Sequence, residues 1–302
     1  MGLYPTNERL LVTVGVAYLR LPEMASSQGN PVFIWKDFKE WKPALEAMFP
    51  DILTPELEEK VRQLTPPVKY RDDSGLFEQL SGYSLGKIVT RDKIVEFRRL
   101  YSHIRVFHAC RPRPVDIKNY YKKGLLPSKD LRRDQIKRFW QIFPRGRYPN
   151  LTDKVLQDSI AETGTGDQDL CLVIDSRNLV EHTSQYLIYH GGEHLLNLVT
   201  RLRIEDKDMD RMRAELRRIG TPTMFEINLP SEYASDPHLE EFIRGMITNW
   251  VYYIAHPQRV RDAFDFTFSI MKPLPPEHIY GHFHPRRIKG MKQEGRRGHI
   301  LN

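Results

Sequence analysis

Two prolines, Pro112 and Pro114, come soon after the apolar run Ile104, Val106, Phe107, and they constrain the chain more than any other local feature. Proline fixes its own φ, removes a backbone donor and pushes the preceding residue away from the helical region. No helix can therefore run on from the apolar segment through residues 111–114. Asp116 is a residue able to cap a helix, Ile117, Tyr120 and Tyr121 supply apolar positions at helical spacing, and Gly124 stops the segment. The stretch 104–126 predicts a strand, a polar turn holding His108, Cys110 and Arg111, a short helix, and then extended chain. Side chains at a strand end stand on a rigid support where a ligand can be reached.

A second informative stretch is HTSQYLIYHGGEHLLNLVTRL, residues 182–202. Tyr186 to Tyr189 predicts a strand or extended piece, and Gly191 and Gly192 a sharp turn. Glu193 then falls in the first turn of a helix whose apolar stripe is Leu195, Leu196, Val199 and Leu202. A first-turn carboxylate complements the helix dipole and needs no further role. The glycine pair also lets a ligand approach the backbone beside that carboxylate, within a cluster of Tyr186, Tyr189, His190 and His194.

The remaining chain supplies helices and a few strands. Asn7–Leu21 suits an amphipathic helix or, by its Val, Thr and Gly content, a strand. Trp35, Phe38, Trp41, Leu45 and Phe49 recur at helical spacing and predict a core-facing stripe. Helices are expected over 56–64, 93–100, 209–219 and 239–254, the last carrying Phe242, Ile243, Met246, Ile247, Trp250 and Val251. Strands are expected near residues 105, 172, 187, 225 and 267. Strands separated by helices point to an α+β fold with a mixed sheet and flanking helices. Residues 1–100 are expected to form a helical accessory module and 101–302 the main domain.

The 302 residues are 40% hydrophobic and 28% charged, which suits a folded, soluble chain. The formal net charge is +7, and a basic balance favours anionic partners. Cys110 and Cys171 are too few for a disulfide framework or a cysteine zinc site, and they fit a reducing compartment. No signal peptide is recognisable, and the apolar run 10–21 is short and broken by Arg20. These features predict a cytoplasmic protein without a membrane span. No phosphate-binding glycine loop or dinucleotide fingerprint occurs, which argues against a doubly wound nucleotide fold.

The order of these pieces resembles the ADP-ribosyltransferases. Many of them place a His at the end of the first strand among small residues, here Phe107-His108-Ala109-Cys110, and continue into a helix ending in Gly-Leu, here Gly124-Leu125. The resemblance spans roughly residues 100–290 by order of elements. It implies an ADP-ribosyltransferase-like sheet and transfer of ADP-ribose from NAD to a macromolecule, with RNA or DNA as the acceptor class and a bacterial toxin or phage-defence setting. An antitoxin or inhibitor protein is then an expected partner. By the same resemblance, Glu193 and His108 are the catalytic residues. His108, Ala109, Arg111, Arg105, Tyr121, Tyr186 and Tyr189 would bind NAD, with Tyr186 and Tyr189 competing for the ring-stacking place. No metal is required. The chain lacks the Glu-x-Glu and Ser-Thr-Ser of the arginine-modifying class.

Two other function classes compete. Lys129, Arg132, Arg133, Lys137, Arg138, Arg145 and Arg147 are interleaved with Phe139, Trp140, Phe143 and Tyr148, a pattern that suits a nucleic-acid-binding protein as well as an ordinary solvated helix. His278, His282 and His284, close to Glu277, have the composition of a zinc site and would suit a metal-dependent hydrolase. A His108–Cys110 nucleophilic pair is a further arrangement open to this sequence.

Overall fold

The computed structural model describes residues 19–20, 31–64, 74–127, 130, 132–161, 169–181, 188, 199, 202, 206–259 and 263–285. Their strands are β1 (Leu19–Arg20), β2 (Val32–Phe33), β3 (His103–Cys110), β4 (Leu170–Val173), β5 (Thr223–Pro230), β6 (Thr267–Ile270) and β7 (Ile279–Phe283). They form one sheet in the order β1-β7-β5-β3-β4-β6, with every neighbouring pair antiparallel. The short β2 lies parallel to β3, Val32 opposite His103. With helices on its flanks, this is the α+β architecture expected from the alternation of strand and helix patterns.

Burial alternates along the strands because successive side chains leave opposite faces of a sheet. Ile104, Val106 and Cys110 of β3 join Phe225, Ile227 and Leu229 of β5 and Leu170 and Leu172 of β4 in the principal core. That core also takes in Phe33, Trp41, Leu45, Leu57, Phe77 and Phe97, so the helices before residue 100 pack into the same apolar body as the sheet. Phe107, Ala109, Val173 and Met224 point the other way and form a small second cluster with Leu179 and Ile188.

The helices preceding the central strand are α1 (Phe38–Met48), α2 (Pro55–Arg62), α3 (Ser74–Ser81), α4 (Leu85–Ile88) and α5 (Arg91–Leu100). The aromatic stripe Trp35, Phe38, Trp41, Leu45, Phe49 is buried throughout, as its spacing predicts. In α2, Pro55 occupies the first turn, where its missing N–H is no loss, and Thr54 Oγ1 accepts the Leu57 N–H. After β3 come α6 (Ile117–Lys123), α7 (Arg132–Ile142), α8 (Asp153–Ala161), α9 (Asn178–Glu181), α10 (Asp206–Arg218) and α11 (Asp236–Ala255). Helix α11 is buried on nearly all sides and lies against α1, α2, α3 and α5. Such a helix cannot be strictly amphipathic, which is why apolar residues occupy consecutive positions from Trp250 to Ile254. Helices α7, α8 and α10 share a separate core built on Phe139, Phe143, Leu156 and Met212.

Several sequence expectations shift. β3 runs on to Cys110, so His108 and Cys110 stand within the strand and not in the turn after it. Asp116 does not cap α6 with its side chain; it pairs with Arg113. Gly124 does end α6, at φ +76°, and a Cβ there would stand 1.9 Å from the Leu274 carbonyl oxygen. Leu125 and Leu274 exchange backbone hydrogen bonds of 2.9 and 2.8 Å at that contact. Ile188, the described residue of the segment expected to be extended, is helical. Leu19–Arg20 form an edge strand on β7. Among the described residues, no helix is long and apolar enough to cross a membrane.

Candidate functional site

The sheet divides at His108. One edge of β3 meets β2 at His103 and Ile104, then β4 at the single pair Phe107↔Val173. β4 continues with β6 through four pairs, while β3 continues with β5 to its end. The two parts of the sheet therefore separate immediately beyond Phe107. His108 stands at this parting, where its Nδ1 lies 3.2 Å from the Cys171 carbonyl oxygen of β4. A carbonyl oxygen only accepts, so Nδ1 carries the proton in that bond. Burial holds the imidazole below its ordinary pKa, against the smaller opposing effect of the Cys171 carbonyl. A neutral ring protonated on Nδ1 leaves Nε2 with a lone pair, and no described residue bonds to it.

The opposite face of the same strands carries a polar strip. Arg105 of β3 pairs with Glu226 of β5, and Arg105 Nε donates to Asn228 Oδ1 at 2.8 Å. The guanidinium carbon lies 4.1 Å from the ring centre of Tyr280. That contact depends on an irregularity in β7: Glu226 faces Gly281 and Ile227 faces Ile279, leaving Tyr280 as the extra residue. Phe107 and Ala109 lie further along this face, with Lys36 Nζ 5.6 Å from the Phe107 ring centre and 2.8 Å from Ser176 Oγ. Glu226 and Asn228 are not singled out by the sequence pattern considered alone. Their signal is present in it: two polar residues at alternate positions inside the otherwise apolar strand TMFEINLP.

The other expected residues divide sharply. Arg111 is buried, and its guanidinium donates to the carbonyls of Ile219 at 3.1 Å, Arg217 at 2.5 Å and Gly220 at 3.2 Å. Those bonds tie β3 to the end of α10, and the guanidinium expected to bind NAD is turned into backbone. Tyr121 meets His282 Nδ1 through its hydroxyl at 2.7 Å and reaches the edge of Phe225. Since His108, Phe225 and His282 lie side by side across three strands, Tyr121 closes over the row that contains His108. Cys110 is buried and its thiol is pushed up to about 12, chiefly by burial, so it holds no thiolate near neutrality. This removes the nucleophilic reading of the His108–Cys110 pair. Glu193, Tyr186 and Tyr189 lie outside the described residues. Ile188 packs with Phe107 and Ala109, on the face opposite the His108 ring.

The two competing classes also change shape. Phe139, Phe143 and Tyr148 are buried in the core shared by α7, α8 and α10 and offer no stacking surface. Trp140 donates to Asp153 Oδ1 at 2.5 Å and carries the Arg145 guanidinium 4.7 Å from its ring centre. Of the histidines expected to converge, His282 and His284 do stand together, their ring centres 5.5 Å apart, with His282 bonding Tyr121 and His284 bonding Thr223 and the Pro222 carbonyl, while His278 lies elsewhere, near His103 and Tyr233. Among the described residues, no three His, Cys, Asp or Glu are gathered as a metal site. No protein-family model, no curated protein and no solved structure matches the chain, so its chemistry has to be read from the residues themselves.

Proposed function

We propose that this chain is an ADP-ribosyltransferase that takes ADP-ribose from NAD and attaches it to a macromolecule, with nucleic acid as the acceptor class. The observation that carries the reading is His108: a neutral imidazole at the parting of two strands, with its Nδ1–H engaged and its Nε2 lone pair unbonded by any described residue. A ribose hydroxyl is a donor, and such a lone pair suits it. Tyr121, closing over the same row, adds an aromatic wall.

In this reaction the bond between ribose C1 and the nicotinamide nitrogen breaks, and nicotinamide leaves with the electron pair. An acceptor nucleophile then bonds to C1 and loses its proton. The sugar passes through an oxocarbenium-like state, which a nearby carboxylate stabilises. Glu193 is the carboxylate in this reading. Five residues separate it from Ile188, and an extended chain of that length reaches at most about 18 Å.

The experiment is release of nicotinamide from labelled NAD, with RNA, DNA and protein supplied as acceptors. His108→Ala and Glu193→Ala are each expected to lower release by about 100-fold, the usual loss for one transition-state-stabilising group. Full transfer by Glu193→Ala, or an absence of release from the parent chain with every acceptor, overturns the reading.

A further inference from the structure

The positive charge of this chain is not spread over it. Of 46 Lys and Arg and 39 Asp and Glu, eleven bases and three acids fall between Arg113 and Tyr148, a local excess of eight. The rest of the chain, 35 bases against 36 acids, is close to neutral. Six of these eleven bases line two adjoining grooves. A cleft of about 650 Å³ lies between α6 and α7, lined in part by Arg113, Lys123, Lys137 and Arg138. A second, of about 550 Å³, runs between α7 and α8 and is lined by Arg133, Lys137 and Arg145. Lys137 and Gln141 belong to both, so the grooves meet along the face of α7 that repeats every four residues at 133, 137 and 141.

The local ion pairing separates the structural cations from the available ones. Arg113 is held by Asp116 and Arg145 by Asp153. Arg138 donates to the Arg111 carbonyl at 2.8 Å. Lys122, Lys123, Arg133 and Lys137 are exposed and form no ion pair with another described residue. Asp134 is the carboxylate on this wall left to oppose them. The aromatic residues of the stretch are buried, or, for Trp140, already stacked and hydrogen-bonded. The surface thus presents cations, and the partly exposed ring of Trp140 on it is covered by Arg145.

We infer that the α6–α7–α8 grooves bind the phosphate backbone of nucleic acid without regard to base sequence. Phosphate contacts position a nucleic acid and carry no sequence information, and sequence-tolerant stacking needs free rings, whereas Trp140, which lines the second groove, is already covered by Arg145. Helix α7 is about 16 Å long, enough to track about five phosphates of one strand. The first groove also includes Pro112 and Tyr120, next to the end of β3, so a strand lying in it approaches the His108 parting. That this strand is the acceptor rests on the proposed transferase activity; the binding itself does not.

The test is fluorescence polarisation with a labelled single-stranded RNA and a DNA duplex of mixed sequence, titrated from about 50 to about 200 mM salt. The three groove-lining cations without an ion pair, Lys123, Arg133 and Lys137, predict a log–log slope of about −2.1 for the single strand, so affinity falls by about 20-fold over this range. Lys123→Glu/Lys137→Glu should weaken binding at least tenfold and flatten the slope by about 1.4. Lys39→Glu/Lys60→Glu, the same change in net charge placed on α1 and α2, should leave both unchanged. No binding at the lowest salt, an equal loss in the control pair, or poly-glutamate bound as tightly as RNA overturns the proposal. Nicotinamide release, measured on the same variants with a protein acceptor as well as with RNA and DNA, keeps the two readings apart. Release with no RNA binding sinks the groove alone, and RNA binding with no release sinks the transferase alone.

Discussion

The Arg105–Glu226 pair offers the sharpest energetic test of how the polar strip is built. Its side chains are 12% and 15% exposed, so both charges have lost most of their water. Breaking a buried pair from one side costs about 3–5 kcal/mol, because the surviving charge is left uncompensated. In Glu226→Leu, Arg105 retains Asn228 at 2.8 Å, the Tyr280 ring and some solvent access. Those contacts reduce the expected loss to about 2–3 kcal/mol. Removing both charges, in Arg105→Met/Glu226→Leu, should bring stability back to within about 1 kcal/mol of the parent, since isosteric apolar pairs often replace buried ion pairs at little cost. Urea denaturation measures this directly. With a slope near 3 kcal/mol per molar, the single variant should shift its midpoint down by about 0.7–1 M. A single variant within about 0.5 kcal/mol of the parent refutes the argument that the pair is desolvated, on the usual scale for surface changes. A double variant no better than the single refutes the argument that the stranded guanidinium is the cause. Nicotinamide release from the restabilised double variant then shows whether Glu226 has a second role beyond the pairing.

The fold sets two further outcomes. Arg111→Ala removes the buried guanidinium that holds the carbonyls of residues 217, 219 and 220, and Gly220→Ala places a Cβ 2.2 Å from the Arg111 carbonyl oxygen at φ +70°. Each should lower stability by about 3 kcal/mol and the melting temperature by about 5 °C, and an Arg111→Ala protein that melts like the parent removes this residue from the structural frame. Stability should also depend on pH through His108, His278 and His282, all held below their ordinary pKa by burial. Because the unfolded chain takes up these protons first, stability is complete above the unfolded value of 6.5 and falls as pH drops below it, levelling once the folded pKa is passed. Urea midpoints that stay constant between about pH 7 and pH 5.5, or an unchanged slope in His108→Gln, contradict this.

Local physics made much of the chain legible. Pro112, Pro114 and Gly124 bounded β3 and α6 because their backbone restrictions act whatever surrounds them. The aromatic stripe of α1 and the apolar run of α11 were readable because burial imposes its period on the sequence. Glu226 and Asn228 were passed over because a polar residue in a strand signals a face only when its cross-strand neighbours are known. Arg111 illustrates the reverse error: an arginine beside a strand end has the same composition whether it meets a ligand or the carbonyls of a helix 106 residues away.

By itself the sequence determined the α+β alternation, the punctuation of its central segment and the concentration of positive charge between 113 and 148, since these depend on residues close to one another along the chain. Tertiary structure alone decided the parting of β3 from β4 and the tautomer this imposes on His108. It also decided the pairing of Arg105 with Glu226, the separation of His278 from His282 and His284, and the burial of Phe139, Phe143 and Tyr148. Each of these depends on which distant strands and helices become neighbours, and hydrogen-bond direction and desolvation exist only once they have done so.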